Sequence, residues 1–185
     1  MKLDIRAVYT MVLVAVLAGA GMARVAQAAS AGEIDTRVNG TLEEFKKVVP
    51  GGAEFLGKAN GALVFPTITK AGLVIGGEFG EGALRIGGKT VDYYNIASAS
   101  FGLQIGAQQY SIVMVFMSDE ALKDFRESKG WEAGVDGSVA VAEWGAGDDI
   151  NTKTFKDPIV AFVFGNKGLM AGVSIEGSKI TKIDK

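Results

Sequence analysis

The chain has 185 residues, 48% of them hydrophobic and 22% charged, with 26 glycines and neither cysteine nor histidine. Without cysteine there are no disulfides, thiolate metal sites, lipid-modified cysteines or cysteine nucleophiles; without histidine the commonest general base and nearly all zinc and iron sites are gone. A formal net charge of −2 speaks against nucleic acid as a partner.

Lys2 and Arg6 precede an uncharged apolar run over residues 8–21, and Ala26-Gln27-Ala28 has the small-x-small pattern of a signal-peptidase site. The run is shorter than the ~20 residues a spanning helix needs, and Arg24 follows it. The expectation is an exported chain with a signal peptide at 1–28 and a single domain at 29–185. Loss of Lys2, Arg6, Arg24 and Asp4 leaves that domain with a net charge of −4. It is long enough to bury about two-thirds of its unfolded surface.

Ile34, Val38, Leu42, Phe45 and Val49 recur at helical spacing. Gly40 weakens continuity, and Thr41-x-x-Glu44 is a capping box at which the helix starts or restarts. Pro50-Gly51-Gly52 ends it, and residues 53–59 predict a further short helix. Two readings of the apolar stripe stand. It covers one end of a sheet, or it lies in a membrane interface with Lys46, Lys47 and Lys58 near the headgroups.

From residue 62 the period changes to two. Residues 62–65 predict a short strand stopped by Pro66. In the next strand Leu73, Ile75 and Phe79 point one way and Val74, Gly76 and Glu78 the other, the mark of a strand buried on its apolar side. Residues 82–86 and 89–94 pair through a primed Gly87-Gly88 turn. Another strand spans 96–108, and residues 110–117, apolar on both faces, belong at the centre. Ser118-Asp119-Glu120 caps a helix with apolar face Ala121, Leu122 and Phe125, closed by Lys129-Gly130. Alternation returns over 131–143, with Val135, Val139 and Val141 inward. Residues 144–158 read as the longest loop and 159–164 as a buried strand. Gly165-Asn166-Lys167-Gly168 reads as a turn, and Gly177-Ser178 as the last hairpin, reaching Ile183. The whole predicts an α+β fold. Its core is a curled antiparallel sheet, barrel-like or a sandwich, of nine or ten strands with two or three short helices.

Gly-Leu-x-x-Gly occurs three times, at 72–76, 102–106 and 168–172. The second glycine always falls on the less apolar face, which suits either a strongly twisted sheet or close approach of a backbone or ligand. No cofactor motif survives inspection. Glu78 and Glu81 fall on opposite faces of a strand; Asp148 and Asp149 lack the surrounding calcium-loop pattern. Residues 82–90 imitate a phosphate-binding loop with a spacing one residue too long and no helix after it. No nucleophile and base can be paired, so an enzyme is not expected and no cofactor or metal is assigned.

Five blocks in order carry a resemblance: Ala62-Leu63-Val64-Phe65-Pro66, the run from Lys70-Ala71-Gly72 to Gly80, and Gly102-Leu103-Gln104-Ile105-Gly106-Ala107-Gln108, with two more in the C-terminal half. These are Ser118-Asp119-Glu120-Ala121-Leu122 leading to Phe125, and the run from Gly168-Leu169-Met170-Ala171-Gly172 to Ser178. Together they resemble the SYLF domain, over about residues 40–183, here in a bacterial-style exported member. The resemblance implies a lipid-binding module that recognises phosphoinositides or other acidic phospholipids, with actin binding and bundling in the yeast members. It also implies lipid contact through an amphipathic N-terminal helix and basic residues. The matching positions are Phe45, Lys46, Lys47, Lys58 and Lys70. For an exported chain the expected partners are anionic phospholipid or lipid A headgroups, met peripherally in the periplasm or at an envelope membrane, the outer membrane first. The alternative is an envelope structural or protein-interaction module. In it, strand edges and the 144–158 loop would hold a protein partner or a second copy.

Overall fold

In the computed structural model, which describes residues 29–72, 75–101, 106–143, 157–168 and 175–185, Ser30 sets the first helix. Its hydroxyl accepts from the Glu33 N–H, and the Glu33 carboxylate accepts from the Ser30 N–H at 2.8 Å. That reciprocal capping box starts helix α1, which runs unbroken over Ala31–Val48. Thr41, expected to cap a restarted helix, is buried in mid-helix. Gly40 makes no break, because burial of the stripe outweighs a propensity cost of about 1 kcal/mol. Helix α2 (Gly52–Lys58) follows directly.

Eight strands among the described residues form one curled sheet. They are β1 (Gly61–Gly72), β2 (Ile75–Ile86), β3 (Lys89–Phe101), β4 (Gly106–Phe116), β5 (Trp131–Glu132), β6 (Ala140–Glu143), β7 (Ile159–Gly168) and β8 (Lys179–Ile183). Their spatial order is β5-β8-β3-β2-β1-β4-β7-β6. Every pairing is antiparallel except β6 with β7, which is parallel. Helix α3 (Asp119–Glu127) is capped by Ser118, whose hydroxyl accepts from the Ala121 N–H at 3.1 Å. The α+β curled-sheet expectation is therefore met.

Alternation sends each strand into two cores. Leu63 and Phe65 of β1, Leu84 of β2 and Met114 of β4 join Phe125 of α3 and Trp131 on the inner, concave face. Val64, Ala83, Val113 and Phe162 point outward, beneath Val38 and Phe45 of α1 and Phe55 of α2. The first reading of the amphipathic stripe is thus the one realised: it covers the sheet. β4 is central, with Ile112 through Phe116 fully buried.

Several local expectations give way. The single strand expected through 70–80 falls on β1 and β2, which pair antiparallel with Gly72 against Gly76, and the one expected over 96–108 falls on β3 and β4. Pro66 does not stop β1; the register shifts beside it against both neighbours, between Val64 and Thr67 and between Phe65 and Ile68. A bulge asks no ladder N–H of proline, and the Pro66 carbonyl accepts from the Ser111 hydroxyl at 2.8 Å. Residues 165–168 likewise continue β7: the register slips opposite Gln109 and Ser111, where Gly165 takes φ +67°. Val135 is exposed, not inward, because β5 ends at Glu132 and a turn follows; Val141 lies on the edge strand β6, where it pairs with the inner-core Ala161 but stays 40% exposed. The Gly87-Gly88 turn forms as expected, with φ +57° and +80°. The 144–158 loop lies outside the described residues, apart from Asp157 and Pro158.

Candidate functional site

The described glycines of the three Gly-Leu-x-x-Gly segments, Gly72, Gly76, Gly106 and Gly168, lie at one end of the sheet. Gly72 pairs with Gly76 of β2 and with Gly106 of β4; two residues back, Lys70 opposes Glu78 and Gln108, and Gln108 opposes Gly168. A Cβ on Gly72 would stand 2.5 Å from the Gly76 Cα. Here, then, glycine serves a close approach of two backbones. Residues 73–74, 102–105 and 169–172 of the motifs lie outside the described residues.

At this end the faces are the reverse of the expected ones. Ile75 and Phe79 are 65% and 51% exposed, while Gly76, Glu78 and Gly80 are buried. The cause is strand continuity. β2 runs uninterrupted to Leu84, whose burial in the inner core fixes every even position inward. Glu78 is made tolerable inside by partners: its carboxylate accepts from the Tyr110 hydroxyl at 2.7 Å and the Ser178 hydroxyl at 2.9 Å. Beside it the Gln108 amide donates to Asn166 Oδ1 at 2.7 Å, while its own buried Oε1 has no partner among the described residues.

The outward set is correspondingly apolar and open. Ala71, Gly77, Ala97, Ala99 and Ala107 are exposed on the same outer face as Ile75 and Phe79. From Phe79 to the strand ends, the described outer face of β1–β4 carries no charged side chain. Helix α1 stops short of it, leaving a groove of about 370 Å³ lined by Glu33, Arg37, Thr67, Thr69, Phe79 and Gln109. Exposed lysines flank the row of Phe79. Lys167 pairs with Gln109 on one side, and Lys179 pairs with Ala97 on the other, with Glu132 next across β5.

The five residues implied by the family resemblance are not gathered. Phe45 is fully buried, its ring 5.1 Å from that of Phe162 and 5.6 Å from that of Phe164; it is a core residue, not a surface contact. Lys46 pairs with Glu43 at 2.7 Å and holds the Glu43 carboxyl below its ordinary range, by the hydrogen bond first and then by charge. Lys47 is exposed, and Lys58 pairs with Glu54 at 2.6 Å. Lys70 sits at the far end of β1, nine residues and about 30 Å of strand beyond Gly61. It shares the inner face with Glu78. Of the five, Lys70 alone lies near the open apolar end. Among the described residues no cluster of acidic side chains is able to hold a metal, and no helix is long and apolar enough to cross a membrane.

A search of curated proteins found none that matches the chain. Residues 97–185 match the family model Ysc84, described as Las17-binding protein actin regulator. The matched span begins in β3 and takes in β4 to β8 with α3, including the second and third glycine motifs and the Ser118 cap. Over that span the chain matches the Ysc84 family model, in agreement with the SYLF resemblance of its sequence blocks.

Proposed function

We propose that the protein is a non-enzymatic module that docks peripherally on an anionic membrane surface of the cell envelope, through the open outer end of its sheet. The observation that carries this reading is the pair Ile75 and Phe79, exposed on a charge-free apolar face. Sinking both side chains into an acyl boundary is worth a few kcal/mol, at about 1.5–3 kcal/mol for each one fully buried. Lys167 and Lys179 stand at the two ends of the row of Phe79, where they would meet headgroup phosphates; each adds about 1 kcal/mol near an anionic leaflet. Headgroups of phospholipid or lipid A meet this chemistry equally. The Lys46-Lys47 end of α1 lacks an exposed apolar partner of this size, so it is the weaker candidate for the same role.

Co-flotation of the domain from residue 29 with vesicles tests the reading. Attachment is expected to vesicles containing phosphatidylglycerol, to be weaker on neutral phosphatidylcholine, and to fall at least tenfold in the double variant Ile75→Asp, Phe79→Asp with unchanged thermal stability. Absence of flotation at low salt overturns the proposal. So does a double variant that still floats while Lys46→Glu, Lys47→Glu does not. The family description, which names regulators that bind a protein, favours a second reading in which the same apolar end seats a protein partner. In that case a stable complex survives detergent and is indifferent to vesicles.

A further inference from the structure

We propose that the groove between α1 and the outer face of β1, β2 and β4 is a seat for the phosphate diester of a lipid headgroup. The Arg37 guanidinium is its cation, and Thr67, Thr69 and Gln109 are its neutral partners. This rests on membrane docking through the open end of the sheet, and it names the place where a headgroup would sit. The groove, of about 370 Å³, starts where the apolar end stops. Phe79 lines it from one side, and the paired Glu81 and Thr67 line it two residues further along their strands. Two residues of strand span about 7 Å, and the headgroup layer is about 5–8 Å thick on each side of a bilayer. With Ile75 and Phe79 at the acyl boundary, the groove therefore stands at the height of the phosphates.

The charges that line the groove are not equally committed. The Glu81 carboxylate accepts from Lys185 Nζ at 2.8 Å and from the Ala29 N–H at 3.1 Å. The Glu33 carboxylate accepts from the Ser30 N–H at 2.8 Å and from the Ser30 hydroxyl at 2.9 Å. Arg37 has no hydrogen bond or ion pair to any described residue, and it acts on Glu33, one turn away, only through its charge. Both carboxylates are thus satisfied while the guanidinium is not. Neutral donors stand beside it. The Gln109 amide spends one N–H on the Thr69 hydroxyl at 3.3 Å and keeps the other, and the Thr67 and Thr69 hydroxyl protons have no acceptor among the described residues. A guanidinium fork engages two oxygens of one phosphate at once, which an ammonium does not. Lys167 and Lys179, at the ends of the row of Phe79, would act beside this seat as point charges.

Dihexanoyl phosphatidylglycerol, kept below its micelle concentration, is titrated into the protein and followed by NMR at the Arg37 Nε–H and the Gln109 side-chain amide. Saturable shifts at both are expected. They should be absent in Arg37→Gln and need about five- to tenfold more lipid in Arg37→Lys, which keeps the charge and loses the fork. Inorganic phosphate at the same concentration should shift both signals less; equal shifts overturn the lipid as the source of the phosphate. On phosphatidylglycerol vesicles Arg37→Gln should lower attachment about five- to tenfold, against less than about twofold for Lys123→Gln, which removes the same charge from the exposed side of α3. Equal losses in the two variants, or absent shifts in a protein that still floats with vesicles, overturn the seat and leave docking standing. Shifts in a protein that does not float uphold the seat and overturn docking. Neither shifts nor flotation overturns both.

Discussion

Inside the curl, Glu78 is a carboxylate held at 5% exposure by two hydroxyls, and its stability rests on both of them. Tyr110→Phe removes one donor and keeps the ring, leaving a buried acceptor short of a partner. The expected cost is about 1–3 kcal/mol, read as a fall in the urea midpoint at unchanged slope. A loss below a few tenths of a kcal/mol would mean that water reaches Glu78 freely. Tyr94 is the opposite case, a buried hydroxyl without a partner among the described residues. Burial first and the Asp92 charge second push its pKa up to about 12. The raised folded value means that the unfolded chain gives up this proton first, from about pH 10. Stability is therefore intact below pH 10 and declines between 10 and 12, by about 2–3 kcal/mol. Tyr94→Phe keeps the ring against Phe125, 5.0 Å away. The variant should flatten that alkaline decline in chemical denaturation at pH 9 and 11, and should cost little at pH 7.

At the scale of elements, α1 offers a test of covering against lipid contact. Phe45→Ala empties a site that three aromatic rings share, and a loss of about 3–5 kcal/mol is expected, whereas Lys46→Glu and Lys47→Glu on the exposed side should each shift stability by under about 0.5 kcal/mol. Gly40 lies mid-helix with nothing within 4 Å of a built Cβ. Gly40→Ala should therefore raise stability by about 0.4–1 kcal/mol in thermal or urea unfolding. The same elements show what the sequence discloses. β4, α3 and the Gly87-Gly88 turn were legible because composition on both faces, a cap and a two-glycine dipeptide are local signals. The start of α1 was misplaced because Ser30-x-x-Glu33 and Thr41-x-x-Glu44 satisfy one pattern, and packing chose between them. Pro66 hid the continuity of β1, since a bulge is a property of two neighbours and not of one strand. The open end was inverted for a related reason. A period of two at Ile75, Phe79 and Glu78 tells which residues share a face but not which face is covered; Leu84 decides that from nine positions away. The contact of Ala29 with Glu81 had no local signal at all, and Lys167 and Lys179 flank the apolar end only through pairings between distant strands.

Taken as a whole, the molecule hangs two cores on one sheet. Successive residues of β1, Leu63 and Val64, serve the inner and outer cores in turn, and β4 and β7 repeat the division with Met114 and Val113, Ala161 and Phe162. Neither core is able to open alone, because opening one strips a face from strands that the other needs. The expected consequence is one cooperative transition. Phe45→Ala in the outer core and Phe125→Ala in the inner one should each lower the same midpoint, with near-UV and far-UV circular dichroism coincident and the urea slope unchanged. Two separated transitions in either variant would show the cores to be independent units. The uncovered end of the sheet takes little part in this coupling, since Ile75 and Phe79 bury little in either core. It is held rigid by strands whose stability comes from elsewhere, so polar substitutions there should alter surface attachment while leaving that single transition where it was.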